Sequence, residues 1–359
     1  MRIVQVVMCG GAGTRLWPVS RKTAPKQLHA LVGESSLLAQ TIARGAHAEG
    51  LDRNDTILIA NAALAEGCVQ ALKDAGAPGG RIVLEPSGKN TAPAAALASL
   101  AALERDPAAI VLLLPADHYI GDLDAYAAGI ARGAALAAEG WFVTFGIRPT
   151  EANTGYGYIA RGEPIAHGGF AVARFVEKPP LKAAQAMASD PAFSWNSGIF
   201  MARADRLLEE LARHEPAALD GPRKAFAEAE RSGPFIRLEP QAWATTKAIS
   251  LDYAVAERTD RAAVAPVDMA WSDVGSWSTL WEISPKDEAG NVAIGDATAI
   301  DSRNVYVRAG SGRRVAVVGL EDVVVIETAD AVLVLPRARS QDVKLVVERL
   351  AGEGRTDLL

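Results

Sequence analysis

Short apolar runs alternate with helix-length segments through the first part of the chain. The runs with the length of a single buried strand are Ile3–Cys9, Thr56–Ala60, Arg81–Leu84, Ile110–Leu114 and Phe142–Phe145. Between them, one helix is predicted from Ser35 or Ser36 to about His47, and a second follows Thr56–Ala60 and ends at about Ala75. Two more helices are predicted over Ala92–Leu103 and Asp122–Glu139. Apolar strands that alternate with helices in this way predict an α/β domain with a doubly wound sheet.

The hydrophobic pattern changes after Gly146. Further strand-like runs, with less regular helical spacing around them, are Tyr156–Ala160, Ala171–Val176 and Phe193–Met201. Helices are expected again over Ala204–Arg231 and Ser250–Arg258. We interpret these runs as a second part of the same sheet, and we predict a mixed sheet overall.

A polar stretch, Ser284–Glu288, is interpreted as a linker. Beyond it, Gly and Asp turns separate short β-branched runs at Val305–Val307, Val315–Val318, Val323–Glu327 and Val332–Leu335. A helix is expected from about Ser340 to Leu350. The pattern therefore predicts two domains: residues 1–284, and a small all-β module with a terminal helix in residues 285–359.

Composition and charge narrow the class of protein. The chain has 359 residues, of which 49% are hydrophobic and 22% charged, as in an ordinary globular protein. A net charge of −6 argues against nucleic-acid binding, and no apolar run has the length of a membrane span. The two cysteines, Cys9 and Cys68, have no metal-ligand partners nearby, so we expect core thiols in a reducing, cytoplasmic setting.

The first strand ends in a glycine-rich loop, in which the candidate ligand-binding residues are Gly10, Gly11, Gly13 and Thr14. Glycines allow positive φ angles and a close approach to the backbone. Arg15 and Lys26 then supply positive charge, so the loop is suited to a phosphate. Leu16 stands where the dinucleotide fingerprint requires a third glycine, and the loop lacks the Gly-Lys-Ser/Thr of a P-loop. The alternative is a tight turn without a ligand.

Two aspartates follow short apolar segments. Asp117 follows the strand-like run Ile110–Leu114 after Pro115 and Ala116, and Asp273 precedes a glycine turn. A carboxylate that faces phosphates is suited to Mg²⁺, which takes one or two carboxylates together with phosphate oxygens. The alternative for each aspartate is the cap of the helix that follows.

A further polar element, Glu85–Pro93, lies between a strand and a helix. The Glu85 carboxylate is able to accept hydrogen bonds from N1–H and the exocyclic amine of guanine together. Asn90 and Thr91 add polar groups at the start of the helix. From local sequence alone, a helix capped by Asn90 or Thr91 is the favoured interpretation.

Three more elements carry polar groups suited to a sugar phosphate. They contribute Gly155 and Tyr156, Glu177 and Lys178, and Asn196. Glycine permits close approach to a hydroxyl-rich ring, the carboxylate accepts from hydroxyls, the ammonium binds phosphate, and the amide both donates and accepts. The alternatives are a hairpin turn, an exposed ion pair and a strand-edge turn, respectively.

The sequence GGAGTRLWPVSRKTAPKQ, residues 10–27, resembles the signature loop of the sugar-phosphate nucleotidylyltransferases. Its Leu16-Trp17-Pro18 and Pro25-Lys26-Gln27 forms are most similar to the mannose-1-phosphate guanylyltransferase family. The elements around Glu85, Asp117 and Asp273 resemble that family's E-P-x-x-R/K-N-T-A-P, P-A-D-H and W-S-D-V-G-S-W motifs. The resemblance extends from Val6 to about Leu350.

The resemblance implies transfer of GMP from GTP to mannose 1-phosphate, giving GDP-mannose and pyrophosphate. It implies that Arg15 holds the leaving phosphates, Lys26 lies near the reacting phosphate, and Asp117 and Asp273 bind one Mg²⁺. The glycine loop and the Glu85 element would contact the nucleotide, and the three later elements the sugar phosphate. A left-handed β-helix-like C-terminal module is also implied, and its apolar surface is a candidate interface for a homodimer.

Lys89, Asp252 and the C-terminal end of the chain bear on how far the family resemblance extends. Lys89 stands where the family pattern has Arg, which retains the charge but loses the planar fork. Asp252 matches a family element, and either a ligand contact or a helix cap would explain it. Because the chain ends at Leu359, we expect it to lack the isomerase activity of bifunctional relatives. The alternatives are a nucleotidylyltransferase for another sugar or base, and a non-catalytic sugar-nucleotide sensor.

Overall fold

The computed structural model describes residues 2–11 and 13–359. In these ranges the strands are β1 Ile3–Cys9, β2 Ile57–Asn61, β3 Arg81–Glu85, β4 Ile110–Pro115, β5 Tyr119–Ile120, β6 Phe142–Ile147, β7 Tyr158–Pro164, β8 Phe170–Val176, β9 Phe193–Arg203, β10 Glu230–Ser232, β11 Phe235–Arg237, β12 Ala262–Pro266, β13 Trp271–Ser272, β14 Val292–Ile294, β15 Ala297–Ile300, β16 Tyr306–Ala309, β17 Val315–Val318, β18 Val323–Glu327 and β19 Val332–Pro336. The α-helices there are α1 Leu37–Ala43, α2 Ala65–Asp74, α3 Thr91–Leu103, α4 Leu123–Ala138, α5 Leu181–Ala188, α6 Ala204–His214, α7 Asp220–Ala227, α8 Pro240–Ala244, α9 Trp277–Ile283 and α10 Val343–Gly352.

The chain divides into two compact units that are interleaved along the sequence. Unit 1 contains the chain up to Gly10, Leu38–Ala116 and Ile120–Trp271. Unit 2 contains Gly11–Leu37, Asp117–Tyr119 and Ser272–Leu359. The glycine-rich loop that follows β1 therefore belongs to the same unit as the C-terminal strands.

Unit 1 is built on a mixed sheet. Its strand order in the described part of the chain is β10-β11-β3-β2-β1-β4-β9-β6-β12-β8-β7. Strand β1 pairs in parallel with β2 and β4, whereas β9 is antiparallel to both β4 and β6. The predicted mixed α/β sheet is confirmed.

Alternate residues of the central strands enter two different hydrophobic cores. In β4, Val111 and Leu113 pack in one core, which also includes the apolar residues of α3 and α6. Ile110, Leu112 and Leu114 pack in the other core, with the apolar residues of α4. Because successive strand side chains point to opposite faces, helices must cover both faces of this sheet, and this explains the uninterrupted apolar run.

Unit 2 contains short parallel strands stacked as in a β-helix. Val292 of β14 pairs with Tyr306 of β16, which pairs with Val324 of β18. A second parallel pair joins β15 to β17, and β19 closes the larger sheet in antiparallel orientation. The predicted all-β module and its terminal helix α10 are confirmed.

The structure corrects two predictions in the second half of unit 1. The helix expected over Ala204–Arg231 ends at His214, and Arg231 lies in β10. Pro216 lacks the N–H that an α-helix would require there, and the chain resumes as α7 after a short 3₁₀ turn. The segment expected as an α-helix from Ser250 has π-helical geometry over Asp252–Ala256.

None of the helices in residues 2–11 and 13–359 combines the length and the apolar character that a bilayer span requires.

Candidate active site

The glycine-rich loop opens directly from the buried strand β1 and belongs to unit 2 from Gly11 onward. A Cβ placed on Gly10 or Gly11 would meet no described atom within 4 Å, and Gly11 has φ +91°. Ala12 lies outside the described residues. Residues Thr14–Leu16 form a 3₁₀ turn in which the Arg15 side chain is exposed. The loop thus offers open backbone and an accessible cation, as a phosphate site requires.

Gly13 has a different role from the one expected for the loop glycines. Its φ is +58°, and a Cβ there would lie 2.8 Å from Cγ of Lys26 and 2.9 Å from the Ser20 hydroxyl. The glycine is therefore required by the Lys26 side chain, which packs against it.

Lys26 is buried, and its ammonium group joins the two candidate acidic elements. Its Nζ lies 3.0 Å from Oδ2 of Asp117 and donates to the backbone carbonyls of Asp273 at 2.8 Å and Val274 at 3.2 Å. Segments from three parts of the sequence meet at this one ammonium group inside unit 2. A buried lysine that has an acid and two carbonyls as partners is held in one position.

The backbone around Asp273 has a shape that the sequence did not predict. Val274 is buried and has φ +48°, which is rare for a β-branched residue. The next residue is glycine for a steric reason, because a Cβ on Gly275 would lie 2.7 Å from Oδ2 of Asp273. Strained backbone of this kind persists only where the surrounding structure enforces it, and it is concentrated at functional sites.

The alternative of helix capping does not describe either aspartate. Ser276 caps α9, with its hydroxyl accepting from the Thr279 N–H at 3.2 Å. Asp122 caps α4, with its carboxylate accepting from the Ala125 N–H at 2.9 Å. Asp117 is therefore available for another role.

The electrostatic environment keeps Asp117 ionised. Burial alone would raise the pKa of its carboxyl group, but the Lys26 ammonium, with a smaller contribution from His118, outweighs burial and lowers that pKa below its usual value. Nε2 of His118 lies 4.0 Å from Oδ1 of Asp117. An ionised carboxylate beside a lysine is a suitable ligand for a hard cation.

We tested the donor set against the expected Mg²⁺. Within residues 2–11 and 13–359, no group of three or more His, Cys, Asp or Glu side chains is arranged to hold a metal ion. A Mg²⁺ site that uses one or two carboxylates and completes its shell with water and phosphate oxygens does not need such a group. Asp117 contacts Lys26 through its carboxylate, whereas Asp273 contacts it through its backbone carbonyl. Asp117 thus offers a carboxylate for this second kind of site, and a Mg²⁺ held by both aspartates stays a prediction.

Glu85, at the end of β3 in unit 1, is a buried acid. Its exposed fraction is 8%, and its Oε1 has no hydrogen-bond partner among the residues that the structure describes. Burial raises the pKa of this carboxyl group to about 7. A buried acceptor that lacks a partner is costly, so it indicates a ligand that would donate to it.

Glu85→Gln is expected to change the pH dependence of stability. The folded-state pKa of about 7 exceeds the ordinary value of 4.5, so the folded state holds the proton more tightly than the unfolded state. The free energy of unfolding therefore falls as pH rises from 4.5 through about 7. Above that range, ionised Glu85 lowers the free energy of unfolding by about 3 kcal/mol. Urea unfolding should show the variant to be the more stable protein at pH 8, with the difference shrinking toward pH 5.

The matched control for this measurement is Glu66→Gln, since Glu66 is exposed in the first turn of α2. Its difference from the parent protein should stay nearly constant over the same pH range. If the free energies of unfolding of Glu85→Gln and the parent change in parallel with pH, then the raised pKa of Glu85 is contradicted.

The helix after Glu85 is capped, as local sequence favoured. The Asn90 side chain accepts from the Thr91 N–H at 2.8 Å, and Asn90 has φ +70°. The Thr91 hydroxyl accepts from the Leu251 N–H at 2.8 Å. Both side chains thus hold the local backbone in place. The contact of Asn90 with a nucleotide stays a prediction.

A separate cluster in unit 1 gathers the predicted sugar-phosphate residues. Glu177 pairs with the Lys178 ammonium at 2.9 Å, and this hydrogen bond raises the pKa of Lys178. A Cβ on Gly157 would lie 2.6 Å from Oε2 of Glu177 and 3.2 Å from Cβ of Asn196. Gly157, the second glycine of the element that contains Gly155, therefore makes room for both side chains.

Asn196 is held by hydrogen bonds that define its orientation. Its Oδ1 accepts from the Thr144 hydroxyl at 2.9 Å and from the Gly198 N–H at 3.1 Å, and its Nδ2 donates to Asp252 at 2.9 Å. Burial, followed by the Glu177 charge, raises the pKa of Asp252 to about 6. Asp252 is thus a partner of Asn196. Thr144 was missed because a lone threonine inside an apolar strand carries no functional signal.

Gly155 and Tyr156 are at the entrance to β7. The Gly155 N–H donates to Oδ1 of Asn153 at 2.8 Å, which is the turn geometry of the alternative interpretation. The Tyr156 ring packs edge-on against Trp195 and Trp271, with centroid separations of 5.1 and 5.4 Å. Both residues lie in the same unit as Glu177 and Asn196, and their ligand contacts stay predictions.

Comparison with known proteins agrees with this geometry. A family model described as nucleotidyl transferase matches residues 4–290, and one described as MannoseP isomerase/GMP-like beta-helix domain matches residues 295–350. Mannose-1-phosphate guanylyltransferase of Escherichia coli K12 is 44% identical over 360 residues, covering 99% of this chain and 74% of the relative. The xanthan biosynthesis protein XanB of Xanthomonas campestris pv. campestris strain B100 is 44% identical over 355 residues, with the same coverage of both chains.

The fold also matches solved structures. A protein of Thermus thermophilus, named mannose-1-phosphate geranyltransferase, superposes with a TM-score of 0.86 and 33% identity. The match covers 98% of this chain and 100% of that one.

A mixed α/β sheet, a β-helix, and a lysine that contacts the Asp117 carboxylate and the Asp273 carbonyl are consistent with a nucleotidyltransferase that has a C-terminal β-helix. The chain belongs to the nucleotidyl transferase family, in its mannose-1-phosphate guanylyltransferase branch. The resemblance drawn from the loop and the acidic motifs is confirmed.

Proposed function

We propose that the protein transfers GMP from GTP to mannose 1-phosphate, giving GDP-mannose and pyrophosphate. Relatives 42–44% identical over 98–99% of the chain carry the name mannose-1-phosphate guanylyltransferase. The structural observation that supports this reaction best is the position of the Lys26 ammonium. It is held between the Asp117 carboxylate and the backbone carbonyls of Asp273 and Val274.

The reaction needs no nucleophilic side chain. A phosphate oxygen of mannose 1-phosphate, already anionic near neutral pH, bonds to the α-phosphorus of GTP. The bond from that phosphorus to the β-phosphate oxygen breaks, and pyrophosphate leaves with the electron pair. Because two anions must approach each other, the protein accelerates the reaction by positioning the groups and stabilising charge.

The cations of the chain then have distinct tasks. Arg15, exposed on its 3₁₀ turn, would bind the departing pyrophosphate. Lys26, held in one position by three oxygen atoms, would bind the reacting phosphate. Lys178 would bind the phosphate of the sugar while Glu177 keeps it charged.

Asp117 and Asp273 would hold Mg²⁺ together with phosphate oxygens. The bound cation would neutralise charge that develops on the α-phosphate. Asp117 is already ionised beside Lys26, so it would bind the cation without first losing a proton.

Glu85 would select the base. Its Oε1 lacks a hydrogen-bond partner within the described residues, and guanine offers two donors on one edge. Glu85 must be ionised to accept both, so GTP binding would lower its pKa from about 7. The other proposed nucleotide contacts come from the backbone of Gly10, Gly11, Gly13 and Thr14 and from Asn90 and Thr91.

The acceptor site would be made by Glu177, Asn196 and the backbone at Gly155 and Tyr156. The Asn196 amide oxygen is already engaged twice, so the amide has a donor, its second Nδ2–H, to offer a sugar hydroxyl. Glu177 would accept from hydroxyls. These residues thus offer polar groups for several hydroxyls of a hexose.

The β-helix carries exposed apolar side chains that are suited to an interface between two copies of the chain. We propose a homodimer formed through the β-helix, where Ile300, Val318, Val332 and Val334 are 51–61% exposed. We propose a cytoplasmic location, in line with the buried thiols of Cys9 and Cys68. Neither nucleic acid nor a membrane is part of the proposed function.

A substrate screen tests the proposal. Pyrophosphate release is measured for the four nucleoside triphosphates with mannose, glucose and N-acetylglucosamine 1-phosphates, with and without Mg²⁺. We expect the highest rate with GTP, mannose 1-phosphate and Mg²⁺. A higher rate with another pair would reassign the substrates, and GDP-mannose binding without turnover of any pair would indicate a sensor.

A further inference from the structure

The segment between Arg15 and Lys26 is anchored by residues from the far end of the chain. Nε1 of Trp17 donates to the backbone carbonyl of Leu358 at 2.8 Å. The carbonyl of Trp17 in turn accepts from Nε1 of Trp277 at 3.0 Å. Trp17 is buried in the same hydrophobic core as the apolar residues of β16, β18 and α10. The contacts on its backbone and ring therefore hold the loop in one place.

A second anchor is an ion pair at Arg21. Its Nη2 donates to both carboxylate oxygens of Asp330, at 2.9 and 3.1 Å. The guanidinium also lies over the Trp17 ring, 5.3 Å from its centroid. The Arg21 side chain is 12% exposed, so its position is well defined, whereas Asp330 is 47% exposed. The pair joins residues 309 positions apart in sequence.

Asp330 is held in the turn between β18 and β19. The Thr328 hydroxyl donates to Oδ1 of Asp330 at 2.8 Å, and the Thr328 N–H donates to the Ala331 carbonyl at 2.9 Å. The Thr328 hydrogen bond, and after it the Arg21 contact, lower the pKa of Asp330. The turn therefore presents a charged carboxylate in a defined position.

A third anchor lies beyond Lys26. Nη2 of Arg308, in β16, donates to the Ala30 carbonyl at 2.9 Å. The neighbouring Leu31 is buried in the same core as Trp17. Anchors therefore lie on both sides of Lys26, and all belong to unit 2.

We propose that the β18–β19 turn is a positioning element for the reaction: Asp330, through Arg21, sets the placement of Arg15 and Lys26 on the phosphate loop. This inference rests on the proposed function. The loop has little regular structure of its own, so its order depends on these contacts. A displacement of about 1 Å in a group that binds the reacting atoms is enough to lower a rate by about 10²-fold.

The chain offers a matched control. Asp296 pairs with Arg314 at 2.9 Å, and both residues lie in the β-helix away from the loop segment. Asp330→Asn and Asp296→Asn each remove the charge of an aspartate whose side chain is about half exposed, at 47% and 50%. Arg21 is 12% exposed and Arg314 67%, so Asp330→Asn should cost more thermal stability than Asp296→Asn. Asp330→Asn should lower kcat about tenfold, with little change in the KM for mannose 1-phosphate. Asp296→Asn should leave kcat unchanged.

A double-mutant cycle tests whether Asp330 acts through Arg21. Arg21→Met retains an unbranched apolar side chain and removes the guanidinium. The double variant Arg21→Met/Asp330→Asn should be no slower than Arg21→Met alone, because the two changes remove the same contact. Additive losses of kcat would overturn the proposed route.

Trypsin cleavage within residues 21–26 gives a readout that does not depend on activity. Cleavage should be several-fold faster in Asp330→Asn than in the parent or in Asp296→Asn. Equal kcat and equal cleavage in the two aspartate variants would overturn the positioning role. If the parent transfers no nucleotide but the cleavage difference is present, then the proposed function fails and the anchoring contact stands.

Discussion

Asp117→Asn is expected to lower turnover by about 10²–10³-fold, the loss typical of removing one group that stabilises transition-state charge. The carboxylate lies 3.0 Å from Lys26 and is not used as a helix cap. The amide has nearly the same shape but no charge, so it would bind Mg²⁺ poorly and would not balance the lysine. The initial rate of pyrophosphate release, titrated with Mg²⁺, measures the effect.

The fold should tolerate this change. Asparagine retains an acceptor for Lys26, which also keeps its two carbonyl partners. Circular dichroism and thermal unfolding should therefore resemble those of the parent. Asp124→Asn, in the first turn of α4, is the matched control and should retain full activity. Near-normal turnover of Asp117→Asn at limiting Mg²⁺ would contradict the assignment.

Lys26→Met is expected to lower turnover by at least about 10²-fold and also to lower stability. The loss of turnover follows from removing a buried cation that would bind the reacting phosphate. The loss of stability follows because Asp117 would lose the ammonium 3.0 Å away that compensates for the burial of its carboxylate. Asp117 is 21% exposed at its side chain, so water would compensate in part, and we expect a cost of about 1–3 kcal/mol.

The double variant Lys26→Met/Asp117→Asn separates the two effects. Removing both charges should recover most of the stability lost in Lys26→Met, because no unpaired charge remains. Turnover should stay as low as in the single variants. Thermal unfolding and single-turnover kinetics on all three variants provide the comparison. Recovered turnover in the double variant would show that Lys26 has no direct role in the reaction.

Local patterns determined where the strands and several helices lie. Ile3–Cys9, Val315–Val318 and Val323–Glu327 form strands with the predicted ends, because apolar and β-branched runs between turn residues favour extended backbone. The loop after β1 and its similarity to a nucleotidylyltransferase motif were also visible in the sequence. The helical segment expected over Ala204–Arg231 is interrupted at Pro216, which lacks the N–H that a continuous helix needs.

Local patterns did not decide which side chains would cap the helices. The sequence offered Asp273 and Asp117 as possible caps of the helices that follow them. The structure selects Ser276 and Asp122. Capping depends on the backbone angles at one residue, and these angles reflect packing that a short sequence window does not contain. At Asn90, where the cap involves neighbouring residues only, the local interpretation was correct.

The sequence by itself determined the chemistry of this protein: a glycine loop, two cations, isolated acids and their order along an α/β chain. Only the tertiary structure decided which of these groups meet. Lys26 reaches the Asp273 carbonyl across 247 positions, and the loop that carries it packs with the C-terminal strands in unit 2. Local preferences act over a few neighbouring residues, whereas contacts between distant segments depend on how whole strands and helices pack.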